Sequence, residues 1–251
     1  MPGKRSPLRV AAEIRSILKR EGSPEHANGV AWFFKEKIQS HGWRTADLRR
    51  LARQCSRALD EEHGLDFIVR VADRLFRGRV LEEKVFGVLL LENFTSHFDD
   101  THFNLFESWL DRISTWADHD GLVHYLLAPM IQAQPARARK VFEWAKSADR
   151  WHRRAACVAL IQGTRRKMYF PQITRLSNLL LEDEDDMVQK GLGWLLRETA
   201  KADRTRTVPY LVKIRSRAPR LVLRTASETL PRKTRSDILG PSSFAEPRVI
   251  I

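Results

Sequence analysis

A chain of 251 residues that is 43% hydrophobic can bury a substantial core, as one large domain or as an array of small units, which sets disorder aside except at the ends. Its longest purely apolar run, "VFGVLLL" at 85–91, stops far short of the roughly 20 residues a membrane helix needs, and two cysteines are too few for a disulfide framework. The formal net charge of +13, from 44 Lys and Arg against 31 Asp and Glu, favours a surface built for a polyanion, with a merely solvated basic face as the plainer alternative.

The N-terminal stretch "MPGKRSPLRV" has no apolar signal-peptide core behind it, so a cytoplasmic, reducing location is expected. From there apolar residues recur at i, i+3, i+4 and i+7 through most of the chain, as in Val141, Trp144, Ala145 and Ala148, while alternating strand patterns are almost absent. The pattern predicts an all-α protein of about a dozen helices, each of roughly 10–18 residues. The breaks fall at "REGSPEHANG", "SHGWRTAD", "RGRV", "MIQAQPAR" and "RSRAPR". Asp99 or Asp100 caps a helix beginning near Phe103. "STWADHD" at 114–120 opens another helix, with Trp116 and Asp120 on one face. "EDEDD" at 182–186 precedes the helix of Lys190, where negative charge suits the dipole. One domain is expected over residues 1–230, with residues 231–251 as a flexible tail rich in Pro, Ser and charge.

An internal repeat underlies this order. Arg154-Ala155-Ala156, Lys190-Gly191-Leu192 and Arg224-Thr225-Ala226 each place a base before small or apolar residues, at intervals of 36 and 34 residues. Stepping back by the same interval reaches Asp120, then Lys84, then Arg49. A period of about 35 with two helices each predicts an α-solenoid of HEAT-like repeats, curved, with a basic concave face. The ladder Arg49, Lys84, Asp120, Arg154, Lys190, Arg224 has one acidic member. Asp120 can be a carboxylate that only helps repeats stack, or a functional one, and the spacing leaves both open.

The basicity is regional: residues 131–170 hold ten Lys or Arg and two acids, residues 201–235 eleven and two, and the rest of the chain is net acidic. Arg44, Arg49, Lys84, Arg153, Arg154, Lys190, Arg197 and Arg224 are therefore candidate phosphate contacts. On its helix Lys190 shares a face with Trp194 and Arg197, an unusually polar setting for an indole. A lone carboxylate on such a surface repels phosphate, so it needs an offsetting benefit. Stabilising an oxocarbenium-like sugar during N-glycosidic cleavage supplies one, and indole faces add cation–π attraction.

"STWADHDGLV", "DRWHRRAACVAL" and "DDMVQKGLGWLLRETAK" resemble the three motif segments of the AlkD-like alkylpurine DNA glycosylases. "FFKEKIQSHGWRTADLRRLA" is similar to that family's N-terminal helical segment, and the match runs over most of residues 25–230. The resemblance implies a HEAT-like fold and places the catalytic aspartate on Asp120, the two sugar-contacting tryptophans on Trp116 and Trp194, and the active-site arginine on Arg154. It implies a monomeric, monofunctional enzyme of base excision repair that releases N3- and N7-alkylated purines from duplex DNA without a cofactor. Such bases are already cationic and leave neutral, so no strong general acid is required. It also implies a lesion held without extrusion into a deep pocket, acted on in a bacterial, nucleoid-associated setting. The chain departs from the family at Thr115, where a second aromatic is frequent, and at His119.

Other chemistries find less support. His97, Asp99, Asp100 and His102 match no usual zinc spacing, and no metal site is expected. There is no Gly-rich phosphate loop and no G-x-S-x-G elbow. A lyase using Lys190 would need a neutral lysine on a cationic surface. Two non-enzymatic readings stay open: a solenoid that binds nucleic-acid structures, and a scaffold whose basic face meets an acidic protein.

Overall fold

The computed structural model describes residues 5–240, which contain helices and turns and no β-strand beyond an isolated parallel bridge between Gln39 and Val80. The protein is all-helical. The chain divides into two compact units, Met1–Gln134 and Pro135–Ile251.

In the first unit, α1 (Pro7–Glu21) starts at the Ser6 cap with Pro7 preset for helix, and buries Val10, Ala11, Ile14 and Leu18 along one stripe. A short α2 (Pro24–Ala31) interrupts the segment 20–29 that composition reads as a loop, again behind a serine cap, Ser23. Then come α3 (Thr45–His63), α4 (Leu65–Phe76) and α5 (Leu81–Leu91). The last is apolar nearly all round because α3, α4 and α7 (Trp116–Leu122) enclose it. Gly87 allows that closeness, since a Cβ there would stand 2.9 Å from the carbonyl oxygen of Ala72. Asp99 caps α6 (Asp100–Ser108). After α7 the chain widens through one π turn, Val123–Leu127, into α8 (Ala128–Ala133). Pro129 lies just beyond that turn; it lacks the N–H an α-helix would donate to Tyr125, and its ring crowds that carbonyl.

The first turn of α5 holds three consecutive buried charges, Glu82, Glu83 and Lys84, and each is satisfied from far along the chain. Glu82 accepts from the backbone N–H groups of His41, Gly42 and Trp43 at 2.9–3.3 Å and from the Ser40 hydroxyl at 2.6 Å. One carboxylate thus gathers the segment leading into α3. Glu83 accepts from Arg15 at 2.9 Å, tying α1 to the same point.

The second unit runs through a 3₁₀ turn, Pro135–Arg139, and α9 (Lys140–Trp144), α10 (Arg150–Val158), α11 (Ile161–Thr164), α12 (Phe170–Leu180), α13 (Asp186–Ala202), α14 (Arg204–Ile214), α15 (Arg220–Ala226) and α16 (Arg232–Leu239). Helix α13 is its centre, packed against α10, α12, α14 and α15. Asp149 caps α10, and Asp185, within the acidic run, caps α13. The tail expected from residue 231 is corrected over its first part. Residues 232–239 form α16, whose Ile238 is fully buried and whose Asp237 carbonyl accepts from Arg215 at 2.8 Å. Residues 241–251 lie outside the described residues.

Side-chain bonds recur at about one period within each unit. Ser56 donates to Leu90, Lys84 pairs with Asp118, Arg154 donates to Met187 and Arg150 pairs with Asp185, over sequence separations of 33–35 residues. These bonds join α3 to α5, α5 to the start of α7, and α10 to the start of α13.

Helices α13 and α15 pack closely. A Cβ on Gly193 would stand 2.6 Å from the Cβ of Thr225 and 3.2 Å from the Val222 carbonyl oxygen. Gly193→Ala is expected to destabilise the protein by about 1–3 kcal/mol through overpacking, read as a lower urea midpoint at an unchanged slope.

Candidate functional site

The start of α7 is fixed before its outer face is considered. Thr115 is the N-cap, in extended backbone, and its hydroxyl accepts from Ala117 N–H at 3.3 Å. Asp118 reaches back so that Oδ1 accepts from the Thr115 amide (2.7 Å) and hydroxyl (2.6 Å), and Oδ2 from the Ser114 amide (2.9 Å). This is a capping box. Lys84 completes it, donating to Asp118 Oδ2 at 3.0 Å, to the Ser114 hydroxyl at 2.6 Å and to the Arg112 carbonyl. The lysine side chain is 3% exposed and its aspartate is fully buried.

Lys84 is therefore corrected as a phosphate contact. Its three N–H donors are occupied inside the first unit, and desolvating the ammonium is tolerable only because they are. The ladder carboxylate at this level is Asp118, not Asp120. Asp120 stands two residues on, with its side chain 20% exposed, and one turn after Trp116 on the same side of α7. Trp116 is 37% exposed. Phe34 stacks on it, with ring centroids 5.1 Å apart and planes 16° from parallel. Trp32 and Phe33, just before Phe34, are among the most exposed large apolar side chains described. Asp120 Oδ1 lies 2.6 Å from Nδ1 of His119, an imidazole with no solvent exposure. A cleft of about 310 Å³ opens beside the start of α7, its polar floor formed by Lys84, Ser114, Thr115 and Asp118 and its rim carrying the exposed Lys37 and Arg79.

In the second unit Arg154 is buried on α10 and donates through Nη1 to the Met187 carbonyl on α13 at 2.7 Å. Gly191 leaves room for it, since a Cβ there would stand 3.2 Å from the arginine Cγ. The same helix presents Lys190, the half-buried Trp194 and Arg197. Lys190 pairs with Asp186 at 3.1 Å, and Arg197 with Glu228 at 2.6 Å and Glu198 at 3.2 Å. Arg153 is held by Asp183 at 2.6 Å. In the first unit Arg49 pairs with Glu92 at 2.9 Å and lies over the Tyr125 ring. Arg44 and Arg224 are exposed. Four of the eight expected phosphate contacts, Arg49, Arg153, Lys190 and Arg197, thus lie partly exposed, each beside an acid.

With that geometry in view, the chain matches, over residues 14–230, the family model described as DNA alkylation repair enzyme. The chain belongs to that family. As a member it is an enzyme of DNA alkylation repair, with DNA as its partner. Its fold is similar to that of a solved protein described as a predicted DNA alkylation repair enzyme from Enterococcus faecalis, with a TM-score of 0.76 at 15% identity, covering 84% of this chain and 97% of that one. It is also similar to smu.31 from Streptococcus mutans UA159, with a TM-score of 0.54 at 19% identity, covering 73% and 100%. At such identities these likenesses concern the fold alone. A comparison with curated protein sequences gives no match.

Other reactive groups of this family member are engaged structurally. Asp99 accepts from the His102 amide at 3.1 Å and lies 2.6 Å from its ring, so the cluster at 97–102 works as a helix cap. Among the described residues no three His, Cys, Asp or Glu gather as a metal site, and no helix is long and apolar enough to cross a membrane. Burial pushes the Cys157 thiol up to about 12, which leaves it a core residue with no thiolate to react. The residues missed from sequence are Asp118, His119 and Phe34. The Thr115-x-x-Asp118 spacing is a visible capping signal; the lysine it serves is not.

Removing one half of the buried pair leaves a charge without its partner. Lys84→Met should cost about 3–5 kcal/mol of stability. Lys84→Met with Asp118→Asn should recover part of it, because the buried charge is gone and the amide oxygen still accepts from the Thr115 amide and hydroxyl. A thermodynamic cycle by urea unfolding measures both terms. The folded fraction of Lys84→Met should bind DNA with undiminished affinity.

Proposed function

We propose that the protein is a monofunctional DNA glycosylase that hydrolyses the N-glycosidic bond of cationic N3- or N7-alkylated purines in duplex DNA. The observation that carries this reading is the division of labour on α7. Asp118 takes the buried stacking role beside Lys84, which leaves Asp120, next to the exposed Trp116, without that explanation.

The chemistry follows from charge. An alkylated purine bears a positive charge on its ring; as the C1′–N bond breaks, the bonding pair goes to the base, which departs neutral, and positive charge moves to the sugar. The Asp120 carboxylate stabilises that oxocarbenium-like centre and orients the water that adds to C1′, whose proton then passes to solvent. Trp116, with Phe34 stacked behind it, offers its indole face to the cationic sugar; in the second unit Trp194 presents its indole beside Lys190 and Arg197 for contact with DNA. Arg154 holds the DNA backbone. Arg44, Arg49, Arg153, Lys190, Arg197 and Arg224 are the remaining phosphate contacts, and those now paired with acids exchange a carboxylate for a phosphate oxygen. Lys37 and Arg79 replace Lys84 in this set. The enzyme acts as a monomer, without metal or cofactor, on DNA in a bacterial cytoplasm.

The test is release of 7-methylguanine and 3-methyladenine from methylated duplex DNA. Asp120→Asn is expected to slow release by about 10²–10³-fold while DNA affinity stays equal or rises, because a charge facing phosphate is gone. Full activity in that variant would refute the role of the carboxylate. Tight, salt-dependent binding with no release by the wild type would favour a non-catalytic binder. In the same assay, Lys37→Glu with Arg79→Glu should weaken binding and lower the salt slope by about two phosphate contacts, with the single-turnover rate at saturating enzyme unchanged.

A further inference from the structure

We infer that His119 is a positioning residue for Asp120, holding its carboxylate through an Nδ1–H donor bond; the inference rests on the reading of Asp120 as the catalytic carboxylate. Three features of α7 support it. The imidazole is fully buried although it belongs to a helix of only seven residues, and burying a polar ring is costly without a strong partner. Its Nδ1 lies 2.6 Å from Asp120 Oδ1, at the short end of charge-assisted hydrogen bonds. Adjacent residues do not face each other on a helix, so only a ring turned back along the backbone brings them together. Nδ1, the nitrogen nearer the main chain, is the atom with that reach.

An ionised carboxylate only accepts, so the short contact assigns the proton to Nδ1. The donor fixes the plane of the carboxylate and places one of its oxygens. The surroundings of the ring are otherwise committed or apolar. Asp118 is already committed to Lys84 and the capping box. Val123, at i+4 from His119, is a fully buried apolar residue, as is Leu122 beside it. A histidine serving only as core filler would need no carboxylate at 2.6 Å; leucine, of similar volume, would fill the same space.

The experiment compares three variants in single-turnover base release, DNA affinity and thermal stability. His119→Leu removes the donor and should slow release by about 10²-fold, the scale of a misplaced catalytic group, with the dissociation constant for DNA unchanged. His119→Asn places an amide N–H near the Nδ1 position and should stay within a few-fold of wild type. His119→Gln places its amide at the Nε2 position and should not rescue. Should His119→Leu fail to fold, the Asn and Gln variants decide alone: equal rates, or a faster Gln variant, overturn the inference. Loss of activity in Asp120→Asn with full activity in His119→Leu also overturns it and leaves the glycosylase reading standing. An activity-independent readout separates the two claims further. Long-range ¹H–¹⁵N spectra should show the His119 ring protonated at Nδ1, with that signal shifted in Asp120→Asn. A ring protonated at Nε2 alone sinks the inference even if the protein releases no base at all.

Discussion

The buried pair of Lys84 and Asp118 is the constraint on which the rest of the first unit's site depends. At 3.0 Å the two charges attract by roughly 5 kcal/mol at an effective dielectric of about 20. Removing each from water costs several kcal/mol. Attraction alone does not secure the balance; the additional donors and acceptors do, and they come from the Ser114 and Thr115 amides, two hydroxyls and the Arg112 carbonyl. These groups share one property. All lie at the start of α7, so satisfying the pair and fixing that helix are the same event. Glu82 does likewise for the segment before α3.

This arrangement changes the meaning of the basic ladder. A cation at a repeat position need not face a polyanion. Lys84 reaches the first turn of α7 and its charge is spent inside the fold, while Arg154 commits one N–H to the first turn of α13. Arg49, Arg153, Lys190 and Arg197 lie nearer the surface beside acids, in pairs worth roughly 0–1 kcal/mol each. Breaking such a pair to meet a phosphate costs little, and in its absence the pair holds the arginine extended. Regional charge therefore overstates the number of contacts. The chain is strongly basic, yet much of its basic surface is locally neutral until DNA arrives.

Much of this was legible in the sequence. The 3.6-residue pattern finds the long helices, and the caps at Asp99, Thr115 and Asp185 follow from residue type and position. The period of about 35 reappears as side-chain bonds over 33–35 residues. Hidden from it was anything whose partner lies across a repeat. "EEK" at 82–84 reads as the solvated first turn of a helix, yet its partners lie at 15, 40–43 and 112–118. Short helices escape for another reason. α2 and α16 have eight residues each, too few for periodicity to outweigh the Pro, Gly and Ser around them, and packing of single residues such as Ile238 decides them. Of the candidate site, the sharing of a face by Trp116 and Asp120 followed from spacing alone; that Phe34 backs the indole did not.

The two aspartates of "WADHD" show how one helix serves stability and chemistry at once. Asp118 is useful to the fold because it is buried, neutralised and multiply bonded. On the proposed reading Asp120 serves catalysis from a partly exposed position beside Trp116, where its charge meets the substrate. A chain with a net charge of +13 draws in DNA, whose phosphates repel that carboxylate. The repulsion becomes discrimination when the substrate differs. An ordinary nucleotide brings only negative charge near Asp120, whereas an alkylated purine brings a cation whose charge flows to the sugar as the bond breaks. On the proposed reading, the same group that costs affinity for every site on DNA therefore lowers the barrier selectively at damaged ones. A serine or asparagine at position 120 would bind DNA better and distinguish less.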